Sequence, residues 1–346
     1  MKKLLAFALT ALLTLGLLSG VQAQGVVNVF NWEDYINPDA LALFEEETGI
    51  KVNYMRFTTN EDMLVQVRTN PAAFDVIFPS DYAIERFVKE GLLMPLDHTL
   101  LPNTANIVDW LKSPSYDPDS TFSVPYMWGT VGILYDSTRV QGAVDSWKVL
   151  FDGTYKGEVF MLDSFRDSMG LALKYLGYSM NTRNPAELQA ATQLLIRQKQ
   201  EGIVKAYQVD ETKDKMVAGE GILGVVWSGD AQYAINLNEN LAYAVPLEGS
   251  NIWVDGMVIP KAARNPENAH KLIDFLSRPD VAQMNTEYIE YSSPNQGAID
   301  LMGEDYLNNP NLNPSQETID TCEFFHDIQD YITIYNTLWA QVKNAK

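Results

Sequence analysis

Short apolar runs alternate along this chain with stretches of helical spacing, which predicts an α/β architecture. Residues 26–30, 50–54, 74–78, 158–162 and 222–227 read as strands. A helix is expected from Pro38, with Asn37 as its N-cap and Gly49 just past its end. Further helical patterns run from about Tyr82 to Gly91, through Leu171, Leu173 and Leu176 to Gly177, and from Pro185 to Gln200. A broken helical pair covers 266–276 and 279–285. The chain has no internal repeat, no low-complexity tract and no evident linker, so its domains have to be built by crossings of the chain.

The N-terminus follows a different pattern. Lys2 and Lys3 precede an apolar stretch from Leu4 to about Leu18, and Val21-Gln22-Ala23 stands before Gln24. A basic start, a short apolar core and a small-x-small site predict a secretory leader over residues 1–23. The apolar run is shorter than the roughly 20 residues a membrane span requires. No cysteine follows the cleavage site to carry a lipid, so a periplasmic form, soluble after leader cleavage, is expected. The single cysteine, Cys322, excludes an internal disulfide. The formal charge of −20 disfavours nucleic acid and anionic lipid as partners and attracts small cations.

Enzyme signatures are missing: there is no G-x-S-x-G, no G-x-x-x-x-G-K-[ST] and no H-E-x-x-H. His98, His270 and His326 are scattered without metal-ligand spacing. No catalytic residue, metal or cofactor is expected. The informative chemistry sits at strand ends, where ligands bind in open α/β sheets. Trp227-Ser228-Gly229-Asp230 closes the run 222–226, and Trp253-Val254-Asp255 precedes Met257–Pro260. An aromatic face beside a carboxylate suits an organic cation with a hydrocarbon body. Trp32 and Tyr35 follow one strand, Ser80 and Tyr82 another, and Asp167 a third, which suggests two α/β lobes facing across one cleft. Trp110, Trp128, Trp147 and Trp339 read as packing.

Several segments together resemble the periplasmic polyamine-binding proteins of ABC importers, which bind spermidine and putrescine. They are Phe30-Asn31-Trp32-Glu33-Asp34-Tyr35, Glu47–Val52, Phe78-Pro79-Ser80-Asp81-Tyr82 and Val124–Gly129. Trp227–Asp230, Trp253–Asp255 and Ser293-Pro294-Asn295 continue the series, so the resemblance spans essentially all of the chain beyond the leader. It implies a two-lobed periplasmic binding protein fold of type II character with the ligand cleft between lobes. Lobe 1 would comprise 24–132 with about 257–300, and lobe 2 about 133–256 with 301–346. It further implies a monomer that closes on a polyamine and delivers it to a membrane permease.

Carried over by motif, the expected ligand-binding residues are Trp32, Glu33, Tyr35, Ser80, Asp81, Tyr82, Asp167, Trp227, Asp230, Trp253, Asp255, Tyr291 and Phe325. Trp227 and Trp253 would cover the methylenes, Asp255 an amine within the chain, and Asp167 a terminal amine. Asp230 is similar to the putrescine-preferring branch, while Ser164 and Phe325 replace an acid and a glutamine of spermidine-type members. Other readings of the same residues are a polyamine sensor and a binding protein for another small solute. An amino-acid ligand would need an arginine, for which Arg166 is the candidate.

Overall fold

The computed structural model describes residues 25–346; the expected leader lies outside the described residues. Nine strands are present: β1 (Val26–Trp32), β2 (Lys51–Phe57), β3 (Val76–Ile77), β4 (Ser123–Asp136), β5 (Val159–Leu162), β6 (Val204–Gln208), β7 (Leu223–Trp227), β8 (Leu241–Ala244) and β9 (Ile252–Val258). The first helices are α1 (Pro38–Thr48), α2 (Asn60–Thr69) and α3 (Asp81–Glu90). The middle of the chain forms α4 (Phe165–Tyr175), α5 (Pro185–Gln200), α6 (Glu211–Val217) and α7 (Ser228–Leu237). The remainder supplies α8 (Pro266–Leu276), α9 (Pro279–Ile289), α10 (Gln296–Leu301), α11 (Glu304–Leu307), α12 (Gln316–Thr321) and α13 (Tyr331–Asn344).

Strand order is β2-β1-β3-β9-β4-β7-β5-β6, with β8 also on β4. Within each half the strands β2, β1, β3 and β7, β5, β6 run parallel. Parallel neighbours need crossovers, and the helices between them supply these. Two lobes therefore result, and β4 joins them. Its residues 123–130 pair antiparallel with β9, and its residues 131–135 pair antiparallel with β7.

β4 was not visible as a strand in the hydrophobic pattern, because Pro125, Gly129 and Gly132 read as breakers. The glycines are there for close approach. A Cβ on Gly129 would lie 2.6 Å from the Ser228 hydroxyl and 2.7 Å from the Trp253 ring, and one on Gly132 would lie 2.5 Å from the Ala244 carbonyl. The expected strand at 74–78 forms a ladder only over Val76–Ile77, although Asp75 and Phe78 continue bonding to β1 through their amides.

The caps act as the sequence indicates. Asn37 accepts from the Asp39 amide at the start of α1, and Gly49 closes that helix in the left-handed region at φ 71°. β9 brings the chain back beside β3, and Asp75 ties down the segment that follows it. This fully buried carboxylate accepts from the Asn28 amide and side chain, and from the Arg264 amide. It also accepts from the Asn265 amide and side chain.

Asp75→Ala would leave five part-buried donors of Asn28, Arg264 and Asn265 without their acceptor. We expect it to lower the unfolding free energy by about 3–5 kcal/mol. Denaturant unfolding checks this, and a loss under about 1 kcal/mol would show that the tie is dispensable.

Candidate functional site

Three acidic side chains stand in the first turns of helices that follow strands. Asp81 opens α3, Asp167 lies in the first turn of α4 and Asp230 in that of α7. Helix N-termini favour anions, and these lie at the strand ends where the two lobes meet. The fourth, Asp255, sits inside β9 opposite Ser80, across an isolated antiparallel bridge.

Ser80 shows how local structure yields to the site. It occupies the N-cap position of α3 yet makes no side-chain cap bond. Its hydroxyl instead donates to Asp255 Oδ1 at 2.6 Å. Forgoing such a cap costs about 0.5–2 kcal/mol, so the carboxylate is served ahead of the helix. Asn60 fixes the neighbouring hydroxyls, donating to Ser80 Oγ at 3.0 Å and to the Tyr82 hydroxyl at 3.1 Å. Asn60 was not among the expected residues, since a helix-opening asparagine carries no signal of a contact made twenty residues away.

Aromatic rings wall this acidic strip. Tyr291 follows α9 through Glu290, whose φ of 62° turns the chain sharply. Its ring centroid lies 4.9 Å from Trp253 at an interplanar angle of 88°, and 6.0 Å from Tyr35. Gly229 is required beside it, because a Cβ there would meet the Tyr291 ring at 2.4 Å. Trp227, half-buried, ends β7 two residues before that glycine. Trp32 is half-buried too, with its indole N–H donating to the Phe78 carbonyl at 2.8 Å and its ring against Phe57. Glu33 is held elsewhere: it is exposed and pairs with Arg56 at 2.6 Å.

Arg166 from α4 meets Tyr82 from α3, so the two lobes touch here. Its guanidinium lies 4.2 Å from the Phe325 ring centroid and 5.5 Å from that of Tyr82. The terminal nitrogens donate to the His326 carbonyl and to Asn181 Oδ1, and Arg166 is buried.

The electrostatics of the strip are unusual for a folded interior. Asp81, Asp167 and Asp255 are all buried, and none forms an ion pair among the described residues. Burial pushes Asp255 and Asp167 up to about 6, against the hydrogen bonds from Ser80 and Ser164 that pull the other way. Burial raises Asp81 well above the usual carboxylate range. Asp230 differs, with Lys213 at 2.8 Å. Some of the buried polar atoms without a partner lie at the same place: the Tyr35 hydroxyl, Asp81 Oδ2, Arg166 Nε and Trp253 Nε1. Tyr35 still brings its hydroxyl toward Asp255, short of hydrogen-bond geometry. Buried acceptors without an ion-pair partner, set beside aromatic rings, are the groups that an elongated organic cation would pair with. Among the described residues no helix is long and apolar enough to cross a membrane, and no group of three or more His, Cys, Asp or Glu is placed to hold a metal ion.

The raised values have a consequence for stability. Between about 4, the ordinary aspartate value, and about 6, the folded protein keeps protons that the unfolded chain releases. The stability these two groups contribute is thus fully present at low pH and is lost as pH rises through about 6. An Asp167→Asn/Asp255→Asn variant should match the ligand-free parent near pH 4. It should exceed the parent by on the order of 2 kcal/mol per group at pH 8. Denaturant midpoints across that range check this, and a pH-independent difference would contradict it.

Comparison with known proteins gives the arrangement a lineage. Residues 39–314 match the family model described as bacterial extracellular solute-binding protein. The chain is 35% identical to the spermidine/putrescine-binding periplasmic protein of Escherichia coli over 92% of its own length and 91% of that protein. It is 32% identical to the putrescine/agmatine-binding protein of Pseudomonas aeruginosa, over the full length of both. Among solved structures, the spermidine/putrescine ABC transporter substrate-binding protein PotD of Streptococcus pneumoniae superposes with a TM-score of 0.83 at 36% identity, covering 92% of this chain and 98% of that one. The two-lobed fold and the matched length agree: the chain belongs to the family of bacterial extracellular solute-binding proteins.

Proposed function

We propose that this protein captures a polyamine, putrescine or spermidine, between its lobes and delivers it to the membrane permease of an ABC importer. The observation that carries this reading is the strip of buried carboxylates, Asp167, Asp81 and Asp255, none of them in an ion pair, set among Tyr35, Trp253 and Tyr291. The named relatives support it, since they bind spermidine, putrescine or agmatine by name.

Polyamines carry ammonium groups on short methylene spacers. Each charge-assisted hydrogen bond contributes about 1.5–3 kcal/mol and each cation–π contact about 0.5–2 kcal/mol. Desolvating the ammonium groups offsets much of that gain, so the lobes must close and form nearly all bonds together. In this reading the rings of Trp227 and Trp253 cover methylenes, and Asp255 and Asp167 accept from amines. Trp32, Tyr82 and Phe325 complete the walls. Arg166 supports a polyamine over an amino acid, because its terminal nitrogens already donate within the protein.

The lobe division that suits this closure puts 24–132 and about 257–300 in one lobe, and about 133–256 and 301–346 in the other. The switch of β4 from β9 to β7 between Thr130 and Val131 supports the first boundary. Residues 1–23 act as a cleaved leader in this reading, and the mature chain works as a periplasmic monomer. Capture and release of an unchanged ligand requires no catalytic group, cofactor or metal.

Calorimetric titration of protein unfolded and refolded to remove bound ligand is the test, using putrescine, spermidine and a neutral sugar. Polyamine binding at micromolar Kd or tighter, about −8 kcal/mol or better, with no sugar response, is expected. Asp255→Asn should weaken both polyamines by about 2 kcal/mol or more, because an ammonium loses its counter-charge. No heat with either amine from folded protein would overturn the assignment, and parental affinity in Asp255→Asn would remove that residue from the site.

A further inference from the structure

Helix α3 and the segment 323–327 belong to different halves of the sheet and meet each other. α3 follows β3 and packs on β9, with Ala83, Ile84 and Phe87 buried. A Cβ on Gly256 of β9 would lie 2.9 Å from Ile84. Residues 323–327 are fastened instead to α4 and to the connection between α4 and α5. Lys174 pairs with Glu323 at 2.8 Å, and Asn181 donates to the Phe324 carbonyl and accepts from the His326 amide, each at 2.8 Å. Arg166 and Arg183 donate to the carbonyls of His326 and Asp327.

A charged contact links the two. Arg86 donates to Asp327 Oδ1 through Nε at 2.9 Å and through a terminal nitrogen at 2.7 Å, and Lys89 reaches Oδ2 at 3.3 Å. In the opposite direction the Asp327 amide donates to Glu85 Oε2 at 2.8 Å, with His326 Nδ1 3.3 Å from the same oxygen. The Asp327 side chain is 5% exposed and that of Lys89 42%, so the acid is buried and the rim is wet. Burial would raise both carboxyls, but hydrogen bonds outweigh it. Those from His326, Lys89 and the Asp327 amide hold Glu85 at about 2, and those from the Gln329 amide and Arg86 hold Asp327 below its ordinary value.

A tie that merely fastens the C-terminal segment is the plainer account. That segment is already held on its own half by the bonds to α4, Asn181 and Arg183, and α3 is held on the other by its apolar face. What the contact adds is a link between halves.

We propose that Asp327, with Arg86, Lys89 and Glu85, is a latch between the two halves that must break before the cleft opens, and so sets how long a captured ligand is held. The inference rests on the polyamine reading above and on the closure it requires. The latch reads no ligand chemistry, so it slows the release of putrescine and spermidine alike. Breaking it leaves a buried carboxylate and a guanidinium without partners, which places its effect on release and not on capture.

The test is stopped-flow fluorescence of parent, Asp327→Asn, Arg86→Met and the double variant, each stripped of ligand by refolding, with putrescine and spermidine. Arg68→Met is the control, because Arg68 of α2 pairs with Glu90 of α3 at 2.5 Å within one half. Each single variant should speed release of both amines by about tenfold or more and should not slow association. The double variant should release no more than about threefold faster than the faster single variant, because both changes remove one contact. Asp327 also accepts from the Gln329 amide, so Arg86→Met decides alone if Asp327→Asn does not fold. Lower denaturant stability with parental release rates would reduce the contact to a structural tie and overturn the proposal. Equal acceleration in Arg68→Met, or effects that multiply in the double variant, would overturn it too. A parent that binds neither amine defeats the polyamine reading and the latch with it, whereas a binding parent whose variants release at the parental rate strikes the latch alone.

Discussion

Burying a carboxylate without an ion-pair partner is expensive, and this structure does it repeatedly in one place. Asp81, Asp167 and Asp255 share a buried strip in which hydroxyl and amide groups are their hydrogen-bond partners, and the Arg166 guanidinium acts on Asp81 and Asp167 without pairing with either. The protein relieves part of the strain by letting burial lift Asp167 and Asp255 to about 6. At neutral pH the remainder persists as an unmet demand for positive charge. Ser80 leaves α3 uncapped to serve Asp255, and Asn60 orients the hydroxyls of Ser80 and Tyr82. Local stability is set aside to serve the buried carboxylate.

The same demand explains the architecture around it. β4 belongs to both lobes and β9 lies beside it at the crossing, so Trp253 and Asp255 are carried on a rigid ladder and not on a mobile loop. Close packing at the crossing requires backbone without side chains at Gly129, opposite Trp253 in the β4–β9 ladder, and at Gly229, where a Cβ would enter the Tyr291 ring. Arg166 completes the contact from α4 by lying over Tyr82 of α3.

Much of this was legible in the sequence, because the strands of each lobe are short apolar runs flanked by capped helices. β1, β5 and β7 lie where periodicity puts them, and Asn37 and Gly49 bracket α1 as their residue types imply. The Trp227–Asp230 pair stands at the end of β7 as its pattern implies, whereas Trp253 and Asp255, expected ahead of a strand at 257–260, lie inside β9. β4 was hidden because a strand buried on both faces loses its alternation, and its glycines look like breakers until Trp253 and Tyr243 are placed against them. Lys213, Asn60 and the outward position of Glu33 depend on contacts between distant elements, and nothing local announces them. Arg166, weighed on sequence as a carboxylate receptor, turns out to be occupied by His326 and Asn181.

The central claim is that the ligand replaces protons on buried carboxylates. Calorimetry of putrescine binding in buffers of different ionisation enthalpy measures that exchange directly. At pH 6 the account predicts release of about one proton per ligand bound, summed over Asp167 and Asp255. At pH 8 the release should fall to nearly none. Binding heats that are independent of buffer at pH 6 would show the carboxylates already ionised in the empty slot and would contradict the account.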